Sequence, residues 1–269
     1  MKLVSRAAAA LAGLANYGNP LHIAGHRLFT RDGEMRITDR KTKVSVAASR
    51  PSYHMFSETW YLRDYDVAGC PIRENDVVVD VGANQGFFTC YAAQRGARVY
   101  SFEPHPKTFE VLSRNIRSNG FGDRVTAECT AISDFEGEAD LLCSTFLGSG
   151  ANTLYPGFAG YVNASLGKKL PTKRVGVRRL ASAIPGKVHV RLLKLDCEGA
   201  ELAVLRDLED PERVDSIALE CHPDAYPVDS LIKTILDFGT HQVYVLHGQL
   251  IHAIRTKTLL EFTAGIRTH

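Results

Sequence analysis

Residues 77–89 read Val-Val-Val-Asp-Val-Gly-Ala-Asn-Gln-Gly-Phe-Phe-Thr, and this stretch decides the fold. The valines around Asp80 predict a buried strand, and the glycines that follow predict a tight turn into a helix. Because glycine has no Cβ, the backbone can turn sharply at Gly82, and a helix can approach a ligand or a strand closely at Gly86. Asn84 stands where the dinucleotide pattern GxGxxG has its second glycine, so a pyrophosphate site is disfavoured.

Short β-branched runs alternate with helical patterns from Asp76 onward, which is typical of a parallel sheet flanked by helices. The predicted parallel strands are 77–81, 98–102, 125–131, 190–195 and 216–220. The predicted helices are 86–94, 106–118, 200–208 and 228–238. Residues 242–246 and 250–255 predict a hairpin that places an antiparallel strand at the edge of the sheet.

The first 70 residues are less regular, and we predict an N-terminal elaboration (1–70) before a main domain (71–269). Its start, residues 1–18, is interpreted as an amphipathic helix rather than a secretion signal. An aromatic cluster between Tyr53 and Tyr65 either covers the functional site or packs in the core. Residues 143–175 lack periodicity and predict a binding loop or lid.

Composition narrows the class of protein. A chain of 269 residues with 45% hydrophobic and 23% charged residues has the composition of a globular protein with one large domain. A formal net charge of +2 indicates no nucleic-acid partner, and no apolar run approaches the ~20 residues of a membrane span. The six cysteines are widely spaced without a CxxC pair, so we predict buried thiols in a cytoplasmic protein.

A second acidic strand end strengthens the prediction of a nucleoside site. Glu103 follows the strand predicted at 98–102, where an acidic residue can accept hydrogen bonds from both ribose hydroxyls. Asp80 is unfavourable beside a diphosphate but suits a ligand with an ammonium group. S-adenosylmethionine is an adenosine with an amino acid and no phosphates, and it would satisfy both carboxylates. The alternative is purely structural: a tight glycine turn, with Glu103 capping the next helix.

Four motifs give the chain a resemblance to the FkbM-type family of S-adenosylmethionine-dependent methyltransferases. They are Asp80-Val-Gly-Ala-Asn-Gln-Gly86, Phe102-Glu-Pro-His-Pro106, Lys194-Leu-Asp-Cys-Glu-Gly-Ala-Glu201 and Ala218-Leu-Glu220. The resemblance implies the α/β fold of class I methyltransferases. This fold is a Rossmann-like seven-stranded sheet, with its last strand antiparallel, flanked by helices. It also implies that the cofactor lies at the carboxyl ends of the first strands.

The resemblance also assigns cofactor contacts by position. Asp80, Gly82, Asn84 and Gly86 would face the methionine part, Glu103 the ribose, and Ala131 with Ile132 the adenine. Ala83, Pro104 and Asp196 complete the predicted cofactor-binding set. The segment around 149–153 is similar to a Ser/Asn-rich family segment but sits in a longer stretch, so it does not define the substrate lid.

Three side chains are candidates for catalysis. Asp196 and Glu198 follow a central strand and His222 follows the next one, where open α/β sheets place their ligands. Methyl transfer to a hydroxyl needs a base for the proton, and the ordinary pKa of histidine suits that role. The sequence leaves all three open, and it assigns Glu201 to the start of a helix. Asp196, Glu220 and His222 also allow a site for Mg²⁺, which would acidify the hydroxyl.

The hypothesis from the sequence is therefore an S-adenosylmethionine-dependent O-methyltransferase acting on a small molecule, such as a secondary metabolite or a sugar. One alternative is a nicotinamide-dependent oxidoreductase, which Asn84 and Asp80 disfavour. The other is a non-catalytic S-adenosylmethionine-binding or interaction protein, which would have no need for the charged strand ends.

Overall fold

The computed structural model of the protein describes residues 33–49, 52–143, 152–155, 171–186, 188–246 and 249–266. The predicted helix at 1–18 lies outside these residues. So do most of the predicted loop at 143–175 and two residues of the hairpin turn, His247 and Gly248.

The described residues form twelve strands and seven α-helices. The strands are β1 Glu34–Thr38, β2 Ser45–Ser49, β3 Val77–Val81, β4 Arg98–Phe102, β5 Val125–Glu128, β6 Ala131–Ser133, β7 Gly137–Leu142, β8 Thr172–Arg179, β9 Leu192–Leu195, β10 Ser216–Glu220, β11 His241–Val245 and β12 Leu250–Arg255. The helices are α1 Tyr53–Ser57, α2 Phe87–Gln94, α3 Pro106–Ser118, α4 Leu180–Ala183, α5 Glu201–Arg206, α6 Val228–Asp237 and α7 Thr256–Ile266. A π-helical turn, Glu58–Leu62, continues α1, and a short 3₁₀ turn occupies Pro211–Arg213.

Seven strands form the central sheet in the order β11-β12-β10-β9-β3-β4-β5. The strands from β10 to β5 are parallel neighbours, and β12 is antiparallel to both β10 and β11. This arrangement confirms the predicted Rossmann-like sheet with seven strands and an antiparallel last strand. Strands β3, β4, β10 and β12 have the predicted bounds.

The predicted position of the antiparallel strand is wrong, because β12 lies second from the edge. Burial explains the order: Leu250–Ile254 are buried without exception, whereas β11 exposes Gln242, Tyr244 and Val245. A strand that is apolar on both faces is stabilised by neighbours on either side, and the more polar strand takes the edge.

The strand predicted at 125–131 is also wrong in its second half. β5 ends at Glu128, and Ala131–Ser133 pairs instead with β8 in a separate sheet of order β6-β8-β7. The sequence analysis did not predict this sheet. Its central strand β8 buries Val175 and Val177, whereas Lys173 and Arg174 before them and Gly176 between them are exposed.

The central sheet is buried on both faces, as parallel sheets usually are. Val78 and Leu192 belong to a core on one face that includes α2, whereas Val79 and Leu193 belong to the core on the other face with α5 and α6. The alternation of successive residues between the two faces follows from the pleat of a strand. The positions at the carboxyl ends of the strands are thereby held by two packed layers.

The N-terminal segment from β1 through the π-helical turn packs into the first of these cores. Met35, Phe56 and Trp60 are buried there, and the rings of Phe56 and Trp60 stack with centroids 5.3 Å apart. Phe56 also meets Phe87 of α2 edge to face. Covered by the sheet on one side and this segment on the other, α2 is buried from Phe87 to Ala93. A domain boundary near residue 70 stays a prediction.

None of the helices in the described ranges combines the length and the apolarity needed to cross a membrane.

An ion cluster joins the amino-terminal end of β10 to its neighbours. Asp215 is 6% exposed, and its carboxylate lies 3.1 Å from Arg191, 3.0 Å from His189 and 2.8 Å from the Thr258 hydroxyl. Arg255 pairs with the same carboxylate. Burial alone would raise the pKa of Asp215, but the hydrogen bonds from His189 and Thr258 and the basic groups lower it to about 2. Asp215 therefore stabilises the start of the sheet as a carboxylate.

We expect Asp215→Asn to lower the free energy of unfolding by about 3 kcal/mol, because it leaves partly buried cations without their counter-charge. Urea denaturation at pH 7 measures this. The control is Asp210→Asn, which removes an exposed pair with Arg213 and is expected to cost under about 1 kcal/mol. The difference should shrink as the pH falls from 4 toward 2, where Asp215 takes up a proton. If the two variants were equally stable, Asp215 would not be a stabilising counter-charge.

Candidate active site

The turn after β3 depends on two glycines with different functions. Gly82 has φ +75°, and a Cβ on it would lie 1.8 Å from the backbone oxygen of Asp196. Gly86 has φ +85°, and a Cβ on it would lie 2.5 Å from Cδ1 of Leu112 in α3. Gly82 therefore lets the β3 turn contact the end of β9, whereas Gly86 lets α2 begin against α3.

A cavity of about 350 Å³ opens at the carboxyl ends of β3, β4, β9 and β10. Every predicted cofactor-binding residue lines it except Asp80 and Gly86. Of the predicted catalytic residues, Asp196 and Glu198 line it. His222 is not among the lining residues but contacts Glu198.

Carboxyl groups outnumber basic groups on the cavity wall. The described acidic lining residues are Glu58, Asp64, Glu103, Asp196, Glu198 and Glu220, and the described basic ones are His54 and Lys194. Lys194 is already paired with two carboxylates. The cavity therefore favours a ligand that carries positive charge.

Glu103 sits in the position predicted for ribose binding. It is 5% exposed, and its carboxylate accepts hydrogen bonds from the backbone N–H of Asn84 at 3.0 Å and of His105 at 2.9 Å. Burial raises the pKa of Glu103 to about 7 in spite of these hydrogen bonds. Each carboxylate oxygen has a further lone pair for a ligand hydroxyl.

Asn84, like Glu103, offers a hydrogen-bond acceptor to a ligand in the cavity. It has φ +50° and lines the cavity, and its Oδ1 is buried without a hydrogen-bond partner in the described structure. Its Nδ2 lies 3.6 Å from the Met55 sulfur. A buried polar atom without a partner is costly, so an amide oxygen that faces a cavity indicates a hydrogen-bond donor on the ligand.

Asp80 lies beneath the turn rather than on the cavity wall. Its side chain is fully buried, its Oδ2 accepts a 2.6 Å hydrogen bond from Thr89, and its Oδ1 lies 3.2 Å from Nζ of Lys194. The expectation that Asp80 meets a ligand ammonium does not fit this placement, because the ammonium beside it belongs to Lys194. Gly86 likewise faces α3, so these two predicted cofactor contacts are structural in this arrangement.

Asp196 is held from two sides. The Tyr65 hydroxyl donates a 2.9 Å hydrogen bond to its Oδ2, and Nζ of Lys194 lies 3.6 Å from the same oxygen. Tyr65 comes from the aromatic cluster for which the sequence left two interpretations open. Both apply: Phe56 and Trp60 pack in the core, whereas Tyr65 lines the cavity.

His222 bridges two carboxylates. Its Nδ1 lies 3.0 Å from Glu201 Oε1, and its Nε2 lies 3.2 Å from Glu198 Oε2. Burial alone would lower the pKa of His222, but the hydrogen bonds and charges of the two glutamates raise it to about 12. A ring held as an imidazolium ion at neutral pH is poorly suited to accept a proton, and the choice of base among Asp196, Glu198 and His222 stays a prediction.

Glu201 is fully buried and anchors the loop that carries Glu198. It accepts hydrogen bonds from the backbone N–H of Cys197 at 2.8 Å and of Gly199 at 3.0 Å, and from the Tyr226 hydroxyl at 2.7 Å. This agrees with its structural interpretation. Glu198 itself has φ +56°, a strained conformation for a residue with a Cβ, and such strain persists where the surroundings fix it.

Glu220 ends β10 and lines the cavity. Burial, followed by the negative charge of Asp196, raises its pKa to about 8. A carboxyl group with a pKa near the working pH suits proton transfer. The sequence analysis considered Glu220 only as a metal ligand, although its position at a strand end was visible.

The predicted Mg²⁺ site does not fit this arrangement. Asp196, Glu198 and His222 offer ligand atoms within 4.8 Å of one another. The His222 ring is protonated and both of its nitrogens are engaged, and Mg²⁺ prefers oxygen ligands to an imidazole. The ion pairs of His222 with Glu198 and Glu201 account for this grouping without a metal.

Sequence reasoning also left Lys194 without a role. Its signal was available: a lysine within the apolar run 192–195, two residues before Asp196 and thus on the same face of the strand. The wall formed by α1 and the π-helical turn carried no such signal, since its position over the sheet depends on tertiary packing.

Comparison of the sequence with known proteins identifies its family. Residues 80–246 match the family described as the methyltransferase FkbM domain. "Methyltransferase 1" of Beauveria bassiana is 31% identical over 201 residues, which cover 68% of this chain and 78% of that protein. "31-O-demethyl-FK506 methyltransferase FkbM" of Streptomyces tacrolimicus is 30% identical over 224 residues, covering 70% of this chain and 81% of that protein.

Among solved structures, the methyltransferase FkbM of Methylobacillus flagellatus KT is similar with a TM-score of 0.47 and 15% identity. The alignment covers 76% of this chain and 52% of that one, and so low a score adds nothing to the argument from sequence. The match over residues 80–246 and the two curated relatives bear out the resemblance of the four motifs, and they favour a methyltransferase over the oxidoreductase alternative. The chain belongs to the FkbM methyltransferase family.

Proposed function

We propose that this protein transfers a methyl group from S-adenosylmethionine to a hydroxyl of a small molecule. The observation that carries the proposal is the single cavity that joins the turn at Gly82–Asn84 and Glu103 to the carboxyl groups at the ends of β9 and β10. One part of this space suits the cofactor, and the other has groups that can accept a proton.

The residues present fit the cofactor. Glu103 suits hydroxyl donors such as those of a ribose, and the unpartnered Asn84 Oδ1 suits a further donor. The excess of carboxylates on the wall stabilises a ligand that carries a sulfonium and an ammonium. Ala131 and Ile132 of β6 supply an apolar wall on the side predicted for adenine.

Bound S-adenosylmethionine supplies an electrophilic methyl group on a sulfonium that leaves as a neutral thioether. The chain's own task is to hold the acceptor oxygen in line with that methyl group and to take its proton. We assign the proton to Glu220, because it lines the cavity with a pKa raised to about 8. The other candidates are less suitable, since Asp196 is held by Tyr65 and Lys194, and Glu198 by His222.

The acceptor we propose is a secondary metabolite or a sugar. The name of the Streptomyces relative, which specifies 31-O-demethyl-FK506, supports a small molecule with a hydroxyl. A nucleic acid is not the partner we propose, because the chain is nearly neutral overall and its cavity wall is acidic.

We also propose a cytoplasmic location. All six cysteines are described and none forms a disulfide, which supports a reducing compartment.

Replacing Glu103 with Ala should weaken the binding of S-adenosylhomocysteine by about 1–3 kcal/mol, the cost of a lost hydrogen bond to a buried partner. Isothermal titration at pH 7.5 measures this, with the exposed Glu110→Ala as the matched control. In the wild type, affinity should rise between pH 6 and 8 as Glu103 loses its proton, since only the carboxylate accepts both ligand hydroxyls. Unchanged affinity in Glu103→Ala would refute the ribose assignment, and no binding to the wild type at millimolar ligand would refute the cofactor.

Replacing Glu220 with Gln should reduce the methylation rate by about 10²–10⁴-fold, the usual contribution of a general base. The assay incubates the enzyme with labelled S-adenosylmethionine and a set of hydroxyl-bearing metabolites and sugars. The wild-type rate should rise with pH toward about 8, because the base acts as a carboxylate, and the variant should lose this rise. Exposed Glu212→Gln is the control. A variant that keeps both the rate and the pH profile would show that another group takes the proton.

A further inference from the structure

Lys194 is a buried cation in the middle of an apolar strand. Its side chain is 3% exposed, and its neighbours along β9, Leu193 and Leu195, are fully buried. Removing an ammonium group from water is costly unless it is paired and hydrogen-bonded, so a lysine here requires specific partners.

Its partners come from two strands and the turn between them. Asp80 is its direct neighbour in the register of β3 and β9, and their charged atoms lie 3.2 Å apart. The ammonium also donates hydrogen bonds to the backbone oxygens of Gly82 at 2.8 Å and Val81 at 3.3 Å. On its other side, the carboxylate of Asp196 is 3.6 Å away.

These partners divide into two kinds. Asp80 is fully buried and does not line the cavity, and Thr89 also donates a hydrogen bond to it. Gly82 and Asp196 line the cavity. If Lys194 served only to neutralise Asp80, its closest hydrogen bond would not need to reach the Gly82 carbonyl in the cofactor turn.

We propose that Lys194 is a positioning residue for cofactor binding: its ammonium ties the Gly82 carbonyl to the Asp196 carboxylate. Both groups line the cavity: Gly82 belongs to the turn predicted for the methionine part of the cofactor, and Asp196 belongs to the predicted cofactor-binding set. The ammonium donates hydrogen bonds to the Val81 and Gly82 carbonyls and pairs by charge with the carboxylates of Asp80 and Asp196. This inference rests on the proposed function, because it concerns the amino-acid half of S-adenosylmethionine.

The experiment separates charge neutralisation from positioning with a double variant. Lys194→Met leaves Asp80 buried without a counter-charge, so it should be strongly destabilised. Asp80→Asn combined with Lys194→Met removes both charges and should recover most of the lost melting temperature. Asp80→Asn combined with Lys194→Gln keeps a polar partner at residue 194 and serves if the methionine pair does not fold.

Two ligands locate the effect within the site. We expect the folded double variant to bind S-adenosylhomocysteine at least 10-fold more weakly than the wild type. It should bind methylthioadenosine, which lacks the amino-acid part, within 2-fold of the wild type. Isothermal titration measures both, and Asp80→Asn alone is the control for the loss of the Asp80 charge.

Two results would overturn the proposed role of Lys194, and a third would refute the proposed cofactor. Wild-type affinity for S-adenosylhomocysteine in the double variant would overturn the inference and leave Lys194 as a counter-charge only. An equal loss for both ligands would also overturn it, because the effect would not be confined to the methionine end. A wild-type protein that binds neither ligand would instead refute the proposed cofactor itself.

Discussion

The backbone of Gly82 lies so close to that of Asp196 that a single Cβ between them would be 1.8 Å from the Asp196 oxygen. This contact joins the turn after β3 to the end of β9, and the cavity lies where the two meet. Because the two strands are parallel neighbours, both chains leave the sheet at the same edge, and their side chains converge there. Glu103 after β4 and Glu220 at the end of β10 also line the cavity, because the sheet holds all these strand ends at the same edge.

Charge distribution explains how so many carboxyl groups coexist in one small space. Below the cavity the Asp80 charge is balanced by Lys194, and at its side Glu198 and Glu201 share His222. Burial raises the pKa of Glu220, and the negative charge of Asp196 raises it further. A cationic ligand would reduce the repulsion between these carboxylates, so this arrangement favours a sulfonium.

The N-terminal segment takes part in the fold and in the cavity at once. Phe56 and Trp60 are buried against α2, and Tyr65 reaches the carboxylate of Asp196. The core packing of this segment therefore fixes one wall of the site. Since this wall lines the cavity, the residues on it that contact a ligand can change without changing the sheet.

The sequence by itself determined the strand–turn–helix unit at 77–94, the acidic strand ends and the family, because valine runs, glycine turns and strand-end carboxylates act locally. Eight of the ten cofactor-binding residues predicted from the sequence line the cavity, from Gly82 to Ile132 and Asp196. Only the tertiary structure decided that Asp80 faces Lys194 rather than a ligand, since cross-strand register is not a local property. It also decided that His222 is a cation between two glutamates and that β12 lies inside the edge strand, because a pKa and a strand order both depend on what packs alongside.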